Sequence, residues 1–146
     1  MIVLVPVWRR GLAVAALLGC IALAYSAGTK RPTELSVSWL LTHVEAQRGD
    51  LHVGRERLTE LHWVVPQAPG STQVASAGSL HFQSGMAPEA AGPVSLQVPA
   101  GVTRVEVRCR FALAAGAELR TAGNVEFSAP NGGRITLDID RCGVVQ

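Results

Sequence analysis

The sequence has few charged residues and none of the common catalytic motifs. Asp, Glu, Lys and Arg make up only 16% of the 146 residues. The chain contains no Gly-x-Ser-x-Gly stretch, no Cys-x-x-Cys pair and no phosphate-binding glycine loop. A nucleophile elbow, a dithiol redox centre and a P-loop each depend on one of these patterns. The sequence therefore indicates none of those three kinds of enzyme, and it predicts no cofactor.

A basic surface is also missing once the amino-terminal segment is set aside. The net charge of the chain is +2, and Arg9 and Arg10 account for all of it, so the part from residue 28 onward is formally neutral. Non-specific affinity for nucleic acid comes mostly from neutralised phosphates. The charge balance therefore excludes nucleic acid as a partner.

The amino-terminal segment is the clearest signal in the sequence. Arg9 and Arg10 precede residues 11–27, which carry no charge. This pattern predicts an N-terminal apolar helix over residues 1–27, acting as a signal peptide or as a membrane anchor. The protein is then extracytoplasmic, either periplasmic or secreted, or it is held in the inner membrane through residues 11–27.

Three fates of this segment stay open. Small residues at Ala24 and Ser26 fit cleavage before Ala27. Retention as an anchor would instead let Lys30 and Arg31 extend to the far interface. Residues 17–20, Leu-Leu-Gly-Cys, loosely resemble a lipobox, although Leu18 is bulky for its position and the apolar run continues beyond Cys20.

The remaining chain reads as a short linker, residues 28–33, and one domain, residues 34–146. Alternation of apolar and polar residues dominates this domain and predicts half-buried strands. The best example is 102–113, where Val105, Val107, Cys109, Phe111 and Leu113 share one face. Further strands are predicted over 34–45 and 94–98, with short ones around 51–53, 74–75 and 80–82.

Three other segments carry specific expectations. Residues 55–65 fit either a helix or a strand, and we favour a strand over 58–65 because it ends in a β-rich run. Asn131-Gly132 is typical of a type I′ turn, so a hairpin is predicted between a strand at 125–128 and a strand at 135–139. Arg48-Gly49-Asp50 is interpreted as ordinary turn chemistry.

Roughly seven to nine short strands without a convincing helix predict an all-β fold, an antiparallel β-sandwich of immunoglobulin-like or jelly-roll topology. The apolar alternation also predicts which side chains form the core. These are Trp39, Leu41, Leu61, Trp63, Phe82, Leu96, Val105, Val107, Phe111, Val125, Phe127 and Leu137.

Cys109 and Cys142 are the only cysteines in the domain, because the third, Cys20, lies in the apolar segment. An even number of thiols in an oxidising compartment predicts a disulfide between them. Strict alternation, however, puts Cys142 on the outward face with Asp138. The disulfide therefore requires a bulge or a strand end near Arg141.

Candidate polar sites are few. Asp138 and Asp140 share one face of a predicted strand, which suits a calcium ligand pair or an acid/base couple. The simpler interpretation is a solvated strand opposite Arg108 and Arg110. The four histidines match no metal-ligand spacing, so no metal site is predicted, although His62 or His81 could join the two aspartates.

Two hypotheses follow. The favoured one is a non-enzymatic extracytoplasmic module that binds a protein, a glycan or another cell-envelope component through a sheet face or a loop end. The alternative is a small envelope hydrolase or metal-dependent enzyme that uses Asp138 and Asp140 with a histidine. A concave site that brings these residues together would favour the enzyme.

Overall fold

The computed structural model describes residues 15–21, 32–128, 133–139 and 142. The chain divides into two units, residues 1–31 and 32–146. In the first unit, residues 15–21 form a short helix whose side chains are all exposed. Over the described residues, no helix combines the length and apolar character that a bilayer crossing requires. The rest of the predicted N-terminal apolar helix, including the cleavage and flanking residues, lies outside the described part.

The described part of the second unit is built from nine β-strands and two short 3₁₀ turns. The turns are Arg55–Arg57 and Ala114–Gly116. The strands are β1 Thr33–Leu40, β2 Glu45–Arg48, β3 Leu51–Gly54, β4 Leu58–Pro66, β5 Val74–His81, β6 Ala90–Val98, β7 Arg104–Ala112, β8 Glu118–Glu126 and β9 Gly133–Asp138.

These strands form two main sheets and a small hairpin. The three-stranded sheet has the order β6-β1-β9, and the four-stranded sheet has the order β5-β4-β7-β8. β2 and β3 pair with each other as the hairpin. Every described pair is antiparallel except β1 with β9, which run parallel. The all-β prediction is confirmed.

The two sheets bury one apolar core between them. Trp39 of β1 and Trp63 of β4 meet across the layers, with ring centroids 5.7 Å apart. Nine of the twelve predicted core residues are buried, and Phe82, Val125 and Phe127 are partly buried against the core. Because alternate residues of a strand face opposite sides, one buried face on each sheet is enough to produce this pattern.

The strand prediction for residues 58–65 is confirmed. Arg55–Arg57 form a single 3₁₀ turn, and β4 then runs from Leu58 to Pro66 in the middle of its sheet. Leu61, Trp63 and Val65 are buried, whereas His62 and Val64 lie on the other face. The alternation in the second half of the segment therefore outweighs the helical spacing of its first half.

The predicted hairpin between residues 125–128 and 135–139 is wrong. Its turn residues, Asn131 and Gly132, lie outside the described part, but the strands on either side belong to different sheets. β8 pairs with β7, and β9 pairs in parallel with β1, with Leu137 opposite Trp39. The turn signal is local, whereas the choice of partner depends on which layer has an open edge.

Two smaller boundaries also differ from expectation. Residues 74–82 were expected to form two short strands, but β5 is a single strand because Gly78 and its small neighbours continue the pairing with β4. The predicted strand 34–45 ends at Leu40, and Glu45 begins β2. The turn at Arg48-Gly49-Asp50 is confirmed as the tip of the β2–β3 hairpin, where Gly49 has a φ of +60°.

A disulfide joins Cys109 to Cys142, as predicted, with their Cα atoms 6.0 Å apart. Cys109 lies on the buried face of β7, and Cys142 follows the end of β9. Both residues are buried. The sequence requires a bulge or a strand end near Arg141 for this bond. β9 stops at Asp138, so the alternation of a strand does not apply to Cys142, and its side chain can point toward the core. The disulfide therefore links the two sheets.

Candidate functional site

A groove lies on the outer face of the four-stranded sheet, with a volume of about 840 Å³. Val64 and Pro66 of β4 supply apolar surface, and β7 and β8 add Arg104, Glu106 and Asn124. The loop between β4 and β5, residues 67–73, contributes to the same groove together with Val74, which is 53% exposed. The groove therefore combines half-buried and exposed apolar groups with polar side chains that can fix the orientation of a ligand.

The β4–β5 loop is held in shape by its own hydrogen bonds. The amide of Gln67 donates to the carbonyl of Gln73 at 2.8 Å, and the amide of Ser71 donates to the carbonyl of Ala68 at 3.0 Å. The amide of Gln73 donates to the Ser71 hydroxyl at 3.1 Å. Gly70 has a φ of +74°, a conformation that glycine adopts without steric cost. The local sequence thus gives this part of the groove a defined shape.

The charged residues around the groove are already paired within the sheet. Arg104 contacts Glu126, and Arg108 donates from Nε to Glu106 at 2.6 Å. Farther along the same face, Glu118 lies between Arg110 and Arg120, at 3.7 and 3.2 Å, and Arg110 also contacts Glu60 at 3.1 Å. Pairs this exposed contribute about 0–1 kcal/mol each. They leave the outer face mixed in charge, with an apolar strip along Val64 and Pro66.

Among the described residues of the predicted polar site, Asp138 is not brought together with the two histidines. His62 and His81 lie on the outer face of the four-stranded sheet, where His81 Nε2 lies 3.2 Å from the Ser79 hydroxyl. Asp138 lies on β9 in the other sheet, opposite Leu40. It therefore does not face Arg108 and Arg110 across a sheet, and that interpretation is wrong for Asp138. Asp140 lies outside the described residues.

No metal centre is formed within the part of the chain that the structure describes. No cluster there gathers three or more His, Cys, Asp or Glu side chains in a position to hold an ion. A histidine does approach a carboxylate on the β2–β3 hairpin, where His52 Nε2 and Glu45 Oε2 are 2.8 Å apart. Both side chains are largely solvated, with 61% and 41% of their surfaces exposed.

That hairpin borders a second, more open hollow of about 550 Å³. Two histidines, His43 and His52, line it together with Arg55 and Glu56. The Glu56 carboxylate accepts a hydrogen bond from the amide of Gly54, and Arg55 lies 3.8 Å from Glu89. The Glu56 carboxylate is therefore occupied by the backbone, and Arg55 lies near a carboxylate outside the hollow. It is a weaker candidate than the groove.

Comparison with protein-family models, with curated proteins and with solved structures finds nothing that matches this chain.

Sequence reasoning did not identify the groove, although the sequence describes two of its parts. Residues 67–71, Gln-Ala-Pro-Gly-Ser, have the composition of a loop, and strand alternation puts Arg104, Glu106 and Arg108 on the outward face. The register that puts Val64 beside Glu106 and Glu106 beside Asn124 comes from strand pairing. One signal was available in the sequence: Val64 and Pro66 are apolar residues at outward positions of a strand whose inward positions are also apolar.

Proposed function

We propose that this protein is a non-enzymatic binding module which works outside the cytoplasm and holds an extended segment of a protein partner in the groove. The observation that carries the proposal is the combination of apolar side chains, the half-buried Val64 and Pro66 and the exposed Val74, with polar groups along one concave surface. Ligand sites commonly combine an apolar lining with a few polar groups that provide orientation.

A protein segment fits this groove better than a glycan does. The described residues that line it include no aromatic side chain, and no flat ring is therefore available for stacking on a sugar. The lining instead offers side-chain amides from Gln73 and Asn124 and hydroxyls from Ser71, Thr72 and Thr103. These groups can form hydrogen bonds with the peptide groups of an extended chain while the apolar residues contact its side chains.

Two features support a location outside the cytoplasm. Residues 11–27 form an uncharged segment behind Arg9 and Arg10, the arrangement of a signal peptide or of a membrane anchor. The Cys109–Cys142 disulfide is of a kind that persists in oxidising compartments. The periplasm or the exterior of the cell, with or without retention at the inner membrane, fits both features.

The finer topology is closer to an immunoglobulin-like sandwich than to a jelly roll. The two main sheets contain three and four strands among the described residues. An immunoglobulin-like domain of the constant type also has seven strands in two sheets, whereas a jelly roll has eight. The parallel pairing of β1 with β9 is a feature of this chain that the antiparallel prediction did not include.

A pair of lysine substitutions tests the groove. Val64→Lys puts a charge among the apolar side chains of the groove, and Ser38→Lys puts the same charge on the middle strand of the other sheet. We expect the full chain to select peptides of a common pattern from a random displayed library. The selected peptides should bind Val64→Lys at least tenfold more weakly than the unchanged protein, and they should bind Ser38→Lys equally well.

Two results would contradict the proposal. One is a library from which no common pattern emerges, and the other is equal binding by the unchanged protein and by Val64→Lys. A glycan array screened in parallel separates the two partner classes. If a glycan binds the unchanged protein but not Val64→Lys, the groove remains the binding site and its ligand is a glycan instead of a peptide.

A further inference from the structure

One strand at a sheet edge lacks the charges and prolines that usually prevent edge pairing, and its one irregularity in register lies at its start, opposite Val65 and Pro66. β5, Val74–His81, is the outermost strand of its sheet and pairs with β4 on one side. It lies within residues 61–88, a stretch that contains no Asp, Glu, Lys or Arg. An edge strand presents unpaired amide and carbonyl groups, and proteins normally guard such edges with charges, prolines, bulges or short strands. β5 has neither a charge nor a proline along its length.

The other edges in the described part do carry such features. β8, on the far side of the same sheet, presents Glu118, Arg120 and Glu126. In the three-stranded sheet, β6 contains Pro93, and β9 is only six residues long and carries Arg134 and Asp138. β5 therefore differs from the other edge strands in having no charge and no proline, and it is the edge best suited to pair with another strand.

We propose that β5 pairs antiparallel with β5 of a second copy of this chain, so that the two four-stranded sheets become one continuous sheet of eight strands. Electrostatics favour this partner. A two-fold axis puts β5 opposite β5, and no charged side chain then faces another charge across the join. Like charges directly opposite each other destabilise strand pairs, and an uncharged edge matched with itself avoids this cost.

The alternation along β5 is compatible with the same symmetry. Ala75, Ala77 and Ser79 are exposed on the outer face, and Ser76 and Gly78 point toward the core. A two-fold axis perpendicular to the sheet pairs outer residues with outer residues and inner with inner. The small side chains near the middle of the strand let the two backbones approach without obstruction.

The apolar side chains at the two ends of this edge fit the same arrangement. Val74 at the start of β5 is 53% exposed, and Met86, shortly after its end, is 70% exposed. Antiparallel pairing brings the start of one strand to the end of the other. The exposed Val74 of each copy then lies near the end of β5 that leads to the exposed Met86 of its mate.

The expected dimer is weak. An eight-residue strand is about 27 Å long, and a join of this size buries less than the roughly 1,600 Å² of a standard interface. We therefore expect a dissociation constant above about 1 μM, with pairing favoured where copies are concentrated. The join shares Val74 with the groove but does not require Val64, and Ala77 and Ser79 do not line the groove, so variants at these positions test the dimer and the proposed peptide site separately.

Cysteine cross-linking of the full chain tests the pairing. Cys20 is first replaced by serine, which leaves an introduced cysteine as the only free thiol, because Cys109 and Cys142 are joined. We expect Ala77→Cys or Ser79→Cys to give disulfide-linked dimers under mild oxidation. The matched control is Ala122→Cys, a small exposed outer-face residue on the opposite edge strand β8, and it should give at least tenfold less dimer.

A charge variant checks the same join without cross-linking. Ser79→Lys should shift the monomer–dimer equilibrium of the full chain in detergent solution at least tenfold toward monomer, as measured by analytical ultracentrifugation, whereas Ala122→Lys should leave it unchanged. Equal cross-linking of Ala77→Cys and Ala122→Cys would overturn the proposal. So would a full chain that stays monomeric up to millimolar concentration, or a cross-linked product whose mass differs from that of two chains.

Discussion

At the scale of single residues, the packing of the core leaves no room for a side chain at Gly78. Gly78 lies opposite Trp63 in the β4–β5 pair, and the Trp63 indole lies across its inner face. A Cβ atom added at Gly78 would come within 2.4 Å of the ring. Trp63 also packs against Trp39 of the other sheet, so the ring has little freedom to move away. The absence of a side chain at Gly78 is therefore what lets Trp63 fill the space between the layers.

We expect Gly78→Ala to lower the free energy of unfolding by about 1–3 kcal/mol, because overpacking forces the indole or the strand to shift. Urea denaturation monitored by Trp fluorescence measures the change. Ala77→Ser, a small substitution on the exposed face of the same strand, is the control and should change stability by less than about 0.5 kcal/mol. A Gly78→Ala protein as stable as the control would show that the indole does not limit this position.

At the scale of secondary-structure elements, the pairing of β9 decides the architecture. Leu137 of β9 and Ile139 just after it are buried, and β9 lies beside β1 in the three-stranded sheet. Cys142, which follows β9, is joined to Cys109 of β7 by a disulfide. One covalent bond thus holds the carboxyl-terminal end of the described chain against the sheet that contains the candidate groove.

Loss of this disulfide should destabilise the fold. The bond closes a loop with a sequence separation of 33 residues. Loop-closure entropy of this size corresponds to about 4 kcal/mol. We expect a reducing agent to lower the thermal midpoint of the protein by about 10–20 °C.

The variant Cys109→Ala/Cys142→Ala provides the control, because its midpoint should already be lowered and should not respond to the reducing agent. Far-UV circular dichroism follows both transitions. An unchanged midpoint in the unchanged protein, with two thiols titratable in the native state, would contradict the expected stabilisation.

At the scale of the whole molecule, the sequence predicts a protein that leaves the cytoplasm. The basic and apolar residues that carry this prediction lie in residues 1–27, and the rest of the chain is formally neutral. The folded unit, residues 32–146, contributes the disulfide. Export and disulfide formation are consistent with each other because oxidising compartments are where structural disulfides persist.

Reporter fusions test the direction of export. We expect alkaline phosphatase fused after Gln146 to be active, because that enzyme requires its own disulfides, which form outside the cytoplasm. Removing residues 1–27 from the same fusion should abolish the activity. Equal activity with and without residues 1–27, or an inactive full-length fusion that accumulates in the cytosol, would contradict the predicted location.

The mass of the exported protein separates the three fates of the segment. Cleavage before Ala27, retention of the whole segment and lipid attachment at Cys20 each give a different mass.

The sequence by itself determined the class of the fold and most of its core. Alternation at Val105, Val107 and Phe111 specified both the strand and its buried face, because the side-chain period of a strand is fixed by backbone geometry. The same alternation favoured a strand for residues 58–65. These inferences need only neighbouring residues, and the structure confirms them.

Only the tertiary structure decided which strands are neighbours and, with that, where the groove lies. Asn131-Gly132 favours a turn wherever it occurs, but the partner of β9 depends on the open edge beside β1, far away in sequence. Likewise, Asp138 and the two histidines form one candidate site in the sequence, but in the structure they lie in different sheets. Strand pairing is a long-range interaction, and a local pattern of apolar residues specifies which face is buried but not which edge it joins.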